Sequence, residues 1–359
     1  MQCGYAIYFF GRVVLLSFQS TKEPKKLFKA SVIICAKNEA ENLVQLLPSI
    51  LKQDYCNELD EPQFEVIVVN DSSDDYSSVV LQNLQQQYAH LKVVNIDKQE
   101  ARILKGKKHA LSKAVAAASF SYLVFTDADC KPSNEFWLQN MMQPFYEGKE
   151  IVVGYGAYEM ENSFLNSFIR YETLHSFMQY AGYTLAGTPF MAVGRNMACT
   201  KTVFQKAQQN KWWNKLTSGD DDMLLRIAAN ENNTSVVANG CTISKAKQTW
   251  KEWLHQKQRH SSTGKYYQPI IKFLLAGYAL SHALVWLLWL VLLCSKYWLV
   301  VSLMMFMRCA LVWLPLLFLS KKMKEKNLAA WIPLLDFCWW LYHLLLSPYI
   351  FFKNKQTWK

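Results

Sequence analysis

Ser121-Tyr122-Leu123-Val124-Phe125-Thr126-Asp127-Ala128-Asp129-Cys130 is an apolar run that ends in two carboxylates. The run is short, aromatic and β-branched, and an alanine-rich stretch precedes it, so we predict a buried parallel strand that follows a helix. In open α/β sheets, ligands bind at the edge where such strands end. Asp127 and Asp129 are therefore predicted to bind a hard divalent cation, Mg²⁺ or Mn²⁺. A solvated turn rich in Asp is the alternative interpretation.

The pattern of an apolar strand, polar residues and a helix recurs nearer the N-terminus. Ala30 to Ala36 is predicted to be a strand that ends in Lys37 to Asn42, and Phe64 to Val69 a strand that ends in Asn70 to Asp75. A third strand is predicted over residues 91–96. This alternation predicts an α/β fold with a mostly parallel central sheet flanked by helices. Polar strand ends that open helices are also typical of phosphate or nucleotide binding.

The chain beyond the Asp-x-Asp pair continues with predicted helices and strands. Phe136 to Phe145 is predicted as a helix, Ile151 to Tyr158 as a strand, and Ser163 to Tyr180 as an amphipathic helix. Three carboxylates, Asp220 to Asp222, stand at the start of another predicted helix. Asp in a first turn ordinarily caps the helix, but three in succession exceed that need. Trp212, Trp213 and Trp250 suit sugar stacking or membrane docking, with core packing as the alternative.

Composition separates a first part typical of soluble α/β proteins from an apolar last part that begins near Ile270. The net charge is +11. Basic residues are scattered or lie beside apolar segments, which favours anionic phospholipid and phosphorylated substrates over nucleic acid. The nine cysteines include no Cys-x-x-Cys pair and no zinc-site spacing. We therefore predict unpaired cysteines in a reducing compartment.

Two apolar segments, Ile270 to Cys294 and Tyr297 to Leu319, are each long enough to cross a bilayer and are predicted to form a hairpin. The basic run Lys321 to Lys326 follows them, and the positive-inside rule places it and the globular part in the cytoplasm. A third segment, Leu328 to Phe352, either spans the membrane or lies in its interface, because Pro333, Asp336, His343 and Pro348 interrupt it.

The N-terminal apolar stretch, Tyr5 to Phe18, is too short to span a bilayer. We predict an interfacial anchor there, with a signal peptide as the alternative. The predicted organisation is an anchor and basic linker over residues 1–28, a globular domain over 29–268, and transmembrane or interfacial helices over 269–359.

Six motifs occur in an order and spacing that resembles the inverting family 2 glycosyltransferases. They are Ala36 to Glu39, Asn70-Asp71, Gly106-Lys107, Asp127-Ala128-Asp129, Gly219-Asp220-Asp221 and Gln256-x-x-Arg259. The resemblance covers roughly Phe28 to Lys265. It implies the GT-A fold of nucleotide-diphospho-sugar transferases. Cellulose, hyaluronan and chitin synthases and ceramide glucosyltransferases, which belong to this family, also carry membrane helices after the catalytic domain.

The resemblance implies roles in binding a nucleotide-diphosphate sugar. Asp129 would hold the metal, and Asp127 would bind the metal or the ribose or sugar side of the donor. Asp71 would contact the nucleobase, with Ala36 and Glu39 lining the same pocket.

Basic residues are implied to neutralise the pyrophosphate, whose charge grows in the transition state. Lys107 or Lys105 would reach the phosphates, with a solvated helix start as the alternative. Gln256 and Arg259 would clamp the pyrophosphate from the other side, since Arg suits bidentate phosphate contact. The family pattern usually ends in Trp where this chain has His260, so acceptor stacking and processive polymerisation do not follow from the resemblance.

Inversion needs a base that removes the proton of the acceptor hydroxyl as it attacks the anomeric carbon. Asp221 is the predicted base, and a register shifted by one residue makes it Asp220. One of the three successive carboxylates is expected to cap the helix.

We therefore expect a membrane-bound, metal-dependent glycosyltransferase of the hexosyltransferase class. It would move a sugar from a nucleotide-diphosphate sugar to a lipid-linked or polysaccharide acceptor, with inversion, at the cytoplasmic face of a bacterial inner membrane. A processive polysaccharide synthase and a catalytically silent, nucleotide-binding membrane scaffold are the alternatives. The expected partners are a nucleotide sugar, a lipid or glycan acceptor and the membrane, without nucleic acid, and the oligomeric state stays open.

Overall fold

A computed structural model describes residues 1–18, 27–102, 104, 106–213, 219–261, 263–325 and 327–352. These residues form two compact units. The sheet unit comprises the described residues within 20–159 and 191–245, and the helical unit comprises those within 1–19, 160–190 and 246–355. The predicted domain boundaries at residues 28 and 268 stay predictions.

The sheet unit is built on one eight-stranded sheet with the order β3-β2-β1-β4-β7-β6-β8-β5. The strands are β1 (Ala30–Ala36), β2 (Phe64–Asp71), β3 (Leu91–Ile96), β4 (Tyr122–Asp127), β5 (Cys130–Pro132), β6 (Ile151–Tyr158), β7 (Met197–Thr200) and β8 (Thr234–Ser244). Strands β3, β2, β1 and β4 run parallel, as do β6 and β8. Strand β7 is antiparallel to both β4 and β6, and β5 is antiparallel to β8.

The α/β class is confirmed, and the sheet is mixed in its second half. Parallel neighbours in a sheet need long crossover connections. Strand β5 instead follows β4 through a short turn, and a loop leads into β7, so these two strands run antiparallel to their neighbours. The helices of this unit are α2 (Ala40–Leu51), α3 (Ser77–Gln87), α4 (Lys107–Ala117), α5 (Trp137–Met142), α7 (Lys201–Gln208) and α8 (Asp220–Ala228). Helix α5 is shorter than predicted because a 3₁₀ turn over Gln143–Glu147, with Pro144 near its start, follows it.

The apolar runs form strands because both of their faces are buried. Val32 and Ile34 of β1, Val66 and Val68 of β2, and Val124 of β4 belong to one hydrophobic cluster and are at most 1% exposed. The polar strand ends therefore extend from a sheet that is buried from solvent, as is typical of parallel strands.

The strands β1, β2 and β4 end at one edge of the sheet. Cys35 is paired with Val69 of β2 and with Asp127 of β4, and Ala36 with Asn70. Strand β2 continues to Asp71 and β4 to Asp127, beyond the predicted strand ends. Two of the predicted site carboxylates are thus held by regular strand geometry rather than by loops.

The helical unit contains the apolar segments. Its helices are α1 (Gln2–Leu16, with a π-helical turn over Ala6–Phe10), α6 (Phe164–Leu185), α9 (Trp250–Ser261), α10 (Pro269–Leu292), α11 (Trp298–Lys322) and α12 (Leu328–Phe352). In the described part of the chain, three helices are long and apolar enough to cross a membrane: Pro269–Leu292, Trp298–Lys322 and Leu328–Leu346. Helix α1 is apolar but shorter.

Helix α6 is not amphipathic, which corrects the interpretation of Ser163 to Tyr180. Its successive residues Tyr171, Leu174, His175, Phe177 and Met178 are all fully buried. The helix packs against several other helices of the same unit, and residues between these buried ones, such as Thr173, Ser176 and Gln179, are half-buried rather than exposed, so no polar face opposes an apolar stripe. The Ser163 side chain accepts a hydrogen bond from the Asn166 backbone N–H and so caps the helix start.

Candidate functional site

The Asp-x-Asp pair lies where β4 turns into β5. Asp127 is the last residue of β4 and is half-buried, and Asp129 is exposed in the turn. One oxygen of each carboxylate and the Cys130 Sγ lie within 4.8 Å of one another. Burial raises the pKa of the Cys130 thiol well above its usual range, so the thiol stays protonated at neutral pH. The available donors are carboxylate oxygens, which fit the predicted Mg²⁺ or Mn²⁺.

Lys107 joins this pair from the start of α4. Gly106 precedes it with φ of 61°, a conformation that favours glycine, and so lets the chain turn into the helix beside the strand ends. The Lys107 ammonium forms an ion pair with the Asp127 carboxylate. Burial alone would lower the pKa of Lys107, but the charges of Asp127, Cys35 and Asp220 together outweigh it and raise that pKa, so the lysine stays charged. The other predicted phosphate ligand, Lys105, lies outside the described residues.

Asp71, the predicted nucleobase ligand, is fully buried at the end of β2. Its two oxygens accept hydrogen bonds from Arg102, at 3.2 Å from Nη1 and 2.6 Å from Nη2. The sequence interpretation missed Arg102. A signal existed, because pairing β2 with β3 places Asp71 beside Ile96, after which the chain runs to Arg102, and a buried carboxylate needs a cation.

The other predicted lining residues are held at the same strand ends. Ala36 ends β1 and is 2% exposed. Glu39 immediately precedes α2, its carboxylate accepts a hydrogen bond from Asn42 Nδ2 at 2.6 Å, and its backbone N–H donates to Ser77 Oγ at 3.2 Å. These bonds fasten the loop after β1 to the start of α3, so Ala36 and Glu39 lie beside the loop that follows Asp71.

The acidic trio forms the first turn of α8. Gly219, with φ of 78°, leads into the helix. Asp221 Oδ2 accepts a hydrogen bond from the Gly194 N–H at 2.8 Å, and Oδ1 accepts one from the Asp222 N–H at 2.9 Å. Burial raises the pKa of Asp221 well above its usual range, and the charges of Asp222 and Asp220 raise it further. A carboxylate with a raised pKa is suited to accept a proton near neutral pH.

One recess in the sheet unit brings the two halves of the predicted site together. Lys107, Thr126, Trp213, Asp220 and Asp221 are among the residues that line it. Since Lys107 also pairs with Asp127, the metal-site carboxylates and the candidate bases lie around one lysine. Trp213 is fully buried and packs edge-on against Phe204 with the ring centroids 5.4 Å apart, which is core packing rather than an open stacking platform.

Three further predicted residues belong to the helical unit. Gln256 and Arg259 lie on α9, as does Trp250, and His260, which stands where the family pattern has Trp, lies on the same helix. The predicted contact of Gln256 and Arg259 with a donor pyrophosphate stays a prediction. Trp250 starts the same helix, is 44% exposed and packs against Phe168 with ring centroids 5.8 Å apart.

The fold is that of the GT-A class of transferases. The model of "Glycosyl transferase family 2" matches residues 31–207, and that of "Glycosyl transferase family group 2" matches residues 134–350. The chain therefore belongs to the family 2 glycosyltransferases. The resemblance drawn from the six motifs is confirmed.

Individual relatives are more distant. The chain is 25% identical over 265 residues to the probable glycosyltransferase YdaM of Bacillus subtilis, which is 72% of this chain and 60% of that protein. It is 30% identical over 109 residues to glycosyltransferase AglE of Haloferax volcanii, which is 30% of this chain and 33% of that protein. The chain thus spans less than two thirds of either relative.

A solved structure shares the fold. The mannosyltransferase PcManGT of Pyrobaculum calidifontis, in complex with GDP-Man and Mn²⁺, has a TM-score of 0.56 at 16% identity. The similarity covers 95% of this chain and 96% of that chain. At this identity, it supports the fold alone.

Proposed function

We propose that this chain transfers a sugar from a nucleotide-diphosphate sugar, held with a divalent cation, to a lipid-linked or polysaccharide acceptor, with inversion, at the cytoplasmic face of a membrane. The observation that carries the proposal is the grouping of Lys107, Asp220 and Asp221 around one recess, with Asp127 ion-paired to that lysine. Among the matched proteins are a poly-beta-1,6-N-acetyl-D-glucosamine synthase of Staphylococcus epidermidis and a beta-monoglucosyldiacylglycerol synthase of Trichormus variabilis. Their names support a glycan or a lipid acceptor.

The donor would lie along the strand ends. Asp71 and the Arg102 guanidinium that binds both of its oxygens would form the part of the site that meets the nucleobase. Asp127 and Asp129 would hold the cation, which supplies charge neutralisation to the leaving diphosphate. Lys107 adds a fixed positive charge at the same place, so that the leaving group is stabilised without reorganisation of solvent.

The acceptor hydroxyl would meet Asp221. As the hydroxyl oxygen attacks the anomeric carbon, its proton passes to a carboxylate oxygen of Asp221, and the bond to the diphosphate breaks on the opposite face. The Gly194 N–H holds the carboxylate in place for this step. A Cβ at position 194 would lie 3.3 Å from Asp221 Oδ2, so a side chain there would crowd the carboxylate.

The helical unit supports a membrane location for this reaction, since three of its helices are long and apolar enough to span. A single transfer is favoured over processive synthesis. A pore for a polymer would need more transmembrane helices than the three candidate spans identified in the described residues.

Membranes that carry the protein provide the test. With Mn²⁺ and a panel of radiolabelled UDP- and GDP-sugars, wild-type membranes should label a lipid or glycan fraction, and Asp129→Ala should abolish the labelling. Asp54→Ala, which removes an exposed carboxylate outside the six motifs, is the matched control and should behave as wild type. Binding of nucleotide without any turnover would support the silent scaffold, and a ladder of long products on a gel would support processive synthesis.

A further inference from the structure

Lys108, the second residue of α4, is buried although it is a lysine. Its exposed fraction is 1%, and lysines are seldom buried to this extent without partners that compensate the charge. The preceding residue, Lys107, reaches Asp127. Successive residues of an α-helix point in directions about 100° apart, so the two ammonium groups serve different parts of the sheet unit.

The identified partner of Lys108 is the chain that precedes α8. Its Nζ donates a hydrogen bond to the Trp213 carbonyl oxygen at 2.5 Å and lies 5.0 Å from the centre of the Trp213 ring. Trp213 is itself fully buried against Phe204, so the carbonyl has a fixed position. Lys108 therefore fastens a rigid point ahead of α8 to the start of α4.

The charge of Lys108 also acts on the candidate bases. Burial lowers the pKa of Lys108, and the carboxylates of Asp220 and Asp221 oppose that shift. By reciprocity, the ammonium favours the ionised form of those carboxylates. The side chain of Trp213 lines the same recess as Asp220 and Asp221. At the start of α4, Lys107 thus pairs with Asp127, and the charge of Lys108 interacts with those of Asp220 and Asp221.

We propose that Lys108 is a positioning residue for glycosyl transfer: it holds Trp213, which lines the same recess as Asp220 and Asp221, so that Asp221 keeps its distance from the donor bound at Lys107 and Asp127. The inference rests on the proposed function. A methionine at this position would fill the same space without a donor or a charge. The Trp213 carbonyl would lose its hydrogen bond from Lys108, and the wall of the recess beside Asp221 would be held less firmly.

Three variants of the full chain, purified in detergent with Mn²⁺, test this inference. They are Lys108→Met, Lys108→Arg and, as the matched control on the same helix, Lys113→Met, whose side chain is 44% exposed and pairs with Glu100 at 2.7 Å. The measurements are the melting temperature, the affinities for UDP and GDP, and kcat and KM for the sugar donor that the wild type turns over.

Lys108→Met should lower kcat roughly 10- to 100-fold, because a small displacement of a catalytic group has effects of this size. Its donor KM and its nucleotide affinity should stay within about twofold of wild type, since the interaction lost is one with the transition state. Lys108→Arg should recover most of kcat, and Lys113→Met should match the wild type.

An unchanged kcat in Lys108→Met would overturn the inference. So would a parallel fall of kcat and nucleotide affinity, because it would make Lys108 a donor-binding residue. If Lys108→Met does not fold, Lys108→Gln is compared with Lys108→Arg, and equal kcat values in these two would also overturn it. Absence of transfer by the wild type contradicts the proposed function itself, whereas wild-type transfer with an unaffected Lys108→Met variant contradicts this inference alone.

Discussion

Asp221 is the residue at which proposed catalysis and stability oppose each other. Burial and the neighbouring Asp222 and Asp220 raise its pKa in the folded chain. Between the ordinary carboxyl pKa of about 3.9 and the raised folded value, the unfolded chain releases a proton that the folded chain keeps. The stabilising contribution is therefore complete at low pH and is lost as the pH rises through that window.

Asp220→Asn should shift the acid limb of the kcat–pH profile to lower pH. The substitution removes one of the negative charges that raise the pKa of Asp221, so the base ionises at a lower pH. The measurement is kcat across the acid range with a saturating donor, with Asp54→Asn as control. An acid limb that stays at the same pH or moves to higher pH would contradict this role of Asp220. An inactive Asp220→Asn beside an active Asp221→Asn would identify Asp220 as the base.

Arg102→Ala should destabilise the sheet unit and weaken nucleotide binding. It leaves the fully buried Asp71 without the guanidinium that donates to both of its oxygens, which costs about 1–3 kcal/mol. The matched control is Lys98→Ala, because Lys98 pairs with Asp74 on the surface, where the two side chains are 65% and 59% exposed. Such a pair contributes about 0–1 kcal/mol. Denaturation and UDP or GDP titrations would measure both effects, and equal losses in the two variants would refute the role of Arg102.

Residues on strand ends and helix starts were predictable from the sequence, because periodicity locates those positions. Asp71, Lys107, Asp127 and Asp221 all belong to this group. Arg102 was not predictable from a motif, since it follows no strand end directly and its partner is set by the register of β2 and β3. Lys108 was assigned no role from the sequence, and only the packing shows that it is buried.

Close packing of α1 against α6 illustrates how elements in the helical unit depend on small residues. A Cβ added at Gly182 of α6 would lie 2.7 Å from the carbonyl oxygen of Phe9, within the π-helical turn of α1. Phe10 and Val13 of α1 are fully buried on one side. The backbone of the short helix α1 therefore lies in close contact with α6, and α1 is part of the helical unit.

Gly182→Ala should destabilise the helical unit by about 1–3 kcal/mol, because the methyl group forces two backbones apart. Gly277→Ala on α10 is the control, since its nearest neighbour would be Tyr5 Oη at 3.7 Å, an ordinary contact. Alanine there should be neutral or favourable by up to about 1 kcal/mol, because it is the better helix former. Thermal unfolding in detergent compares the two, and an equally stable Gly182→Ala would contradict the packing described.

The third apolar segment shows why element boundaries were easier to predict than element environments. Asp336 is one of the residues that left open whether this segment spans the membrane or lies in its interface. It is fully buried within the helical unit. Its carboxylate accepts hydrogen bonds from Arg308 at 2.5 Å, Trp313 at 3.2 Å and Tyr171 at 3.1 Å. A polar residue of this kind is acceptable in an apolar helix only when partners from other helices satisfy it, and no local sequence pattern names those partners.

The whole molecule combines a sheet unit that carries the proposed chemistry with a helical unit that has three candidate spans in its described part. Charge distribution suggests its orientation. Lys321 and Lys322 end α11 and, by the positive-inside rule, are expected in the cytoplasm. The connection between α10 and α11 would then lie on the opposite side of the membrane.

Cys294 offers a test of that orientation. It lies in this connection, and of the nine cysteines, all within the described residues, it is the exposed one. A membrane-impermeant maleimide should label it in intact cells that express the protein, and Cys294→Ser should remove the label. Labelling that requires permeabilised cells would place the connection in the cytoplasm and so contradict the predicted orientation.

The central claim is that Asp221 removes the acceptor proton at a site where other residues hold the donor. Asp221→Asn, measured for both nucleotide binding and sugar transfer in Mn²⁺, tests it most directly. Binding of the donor should stay within about twofold of wild type, whereas transfer should fall about 10²- to 10⁴-fold, the usual contribution of a general base. Transfer at the wild-type rate in Asp221→Asn would contradict the account.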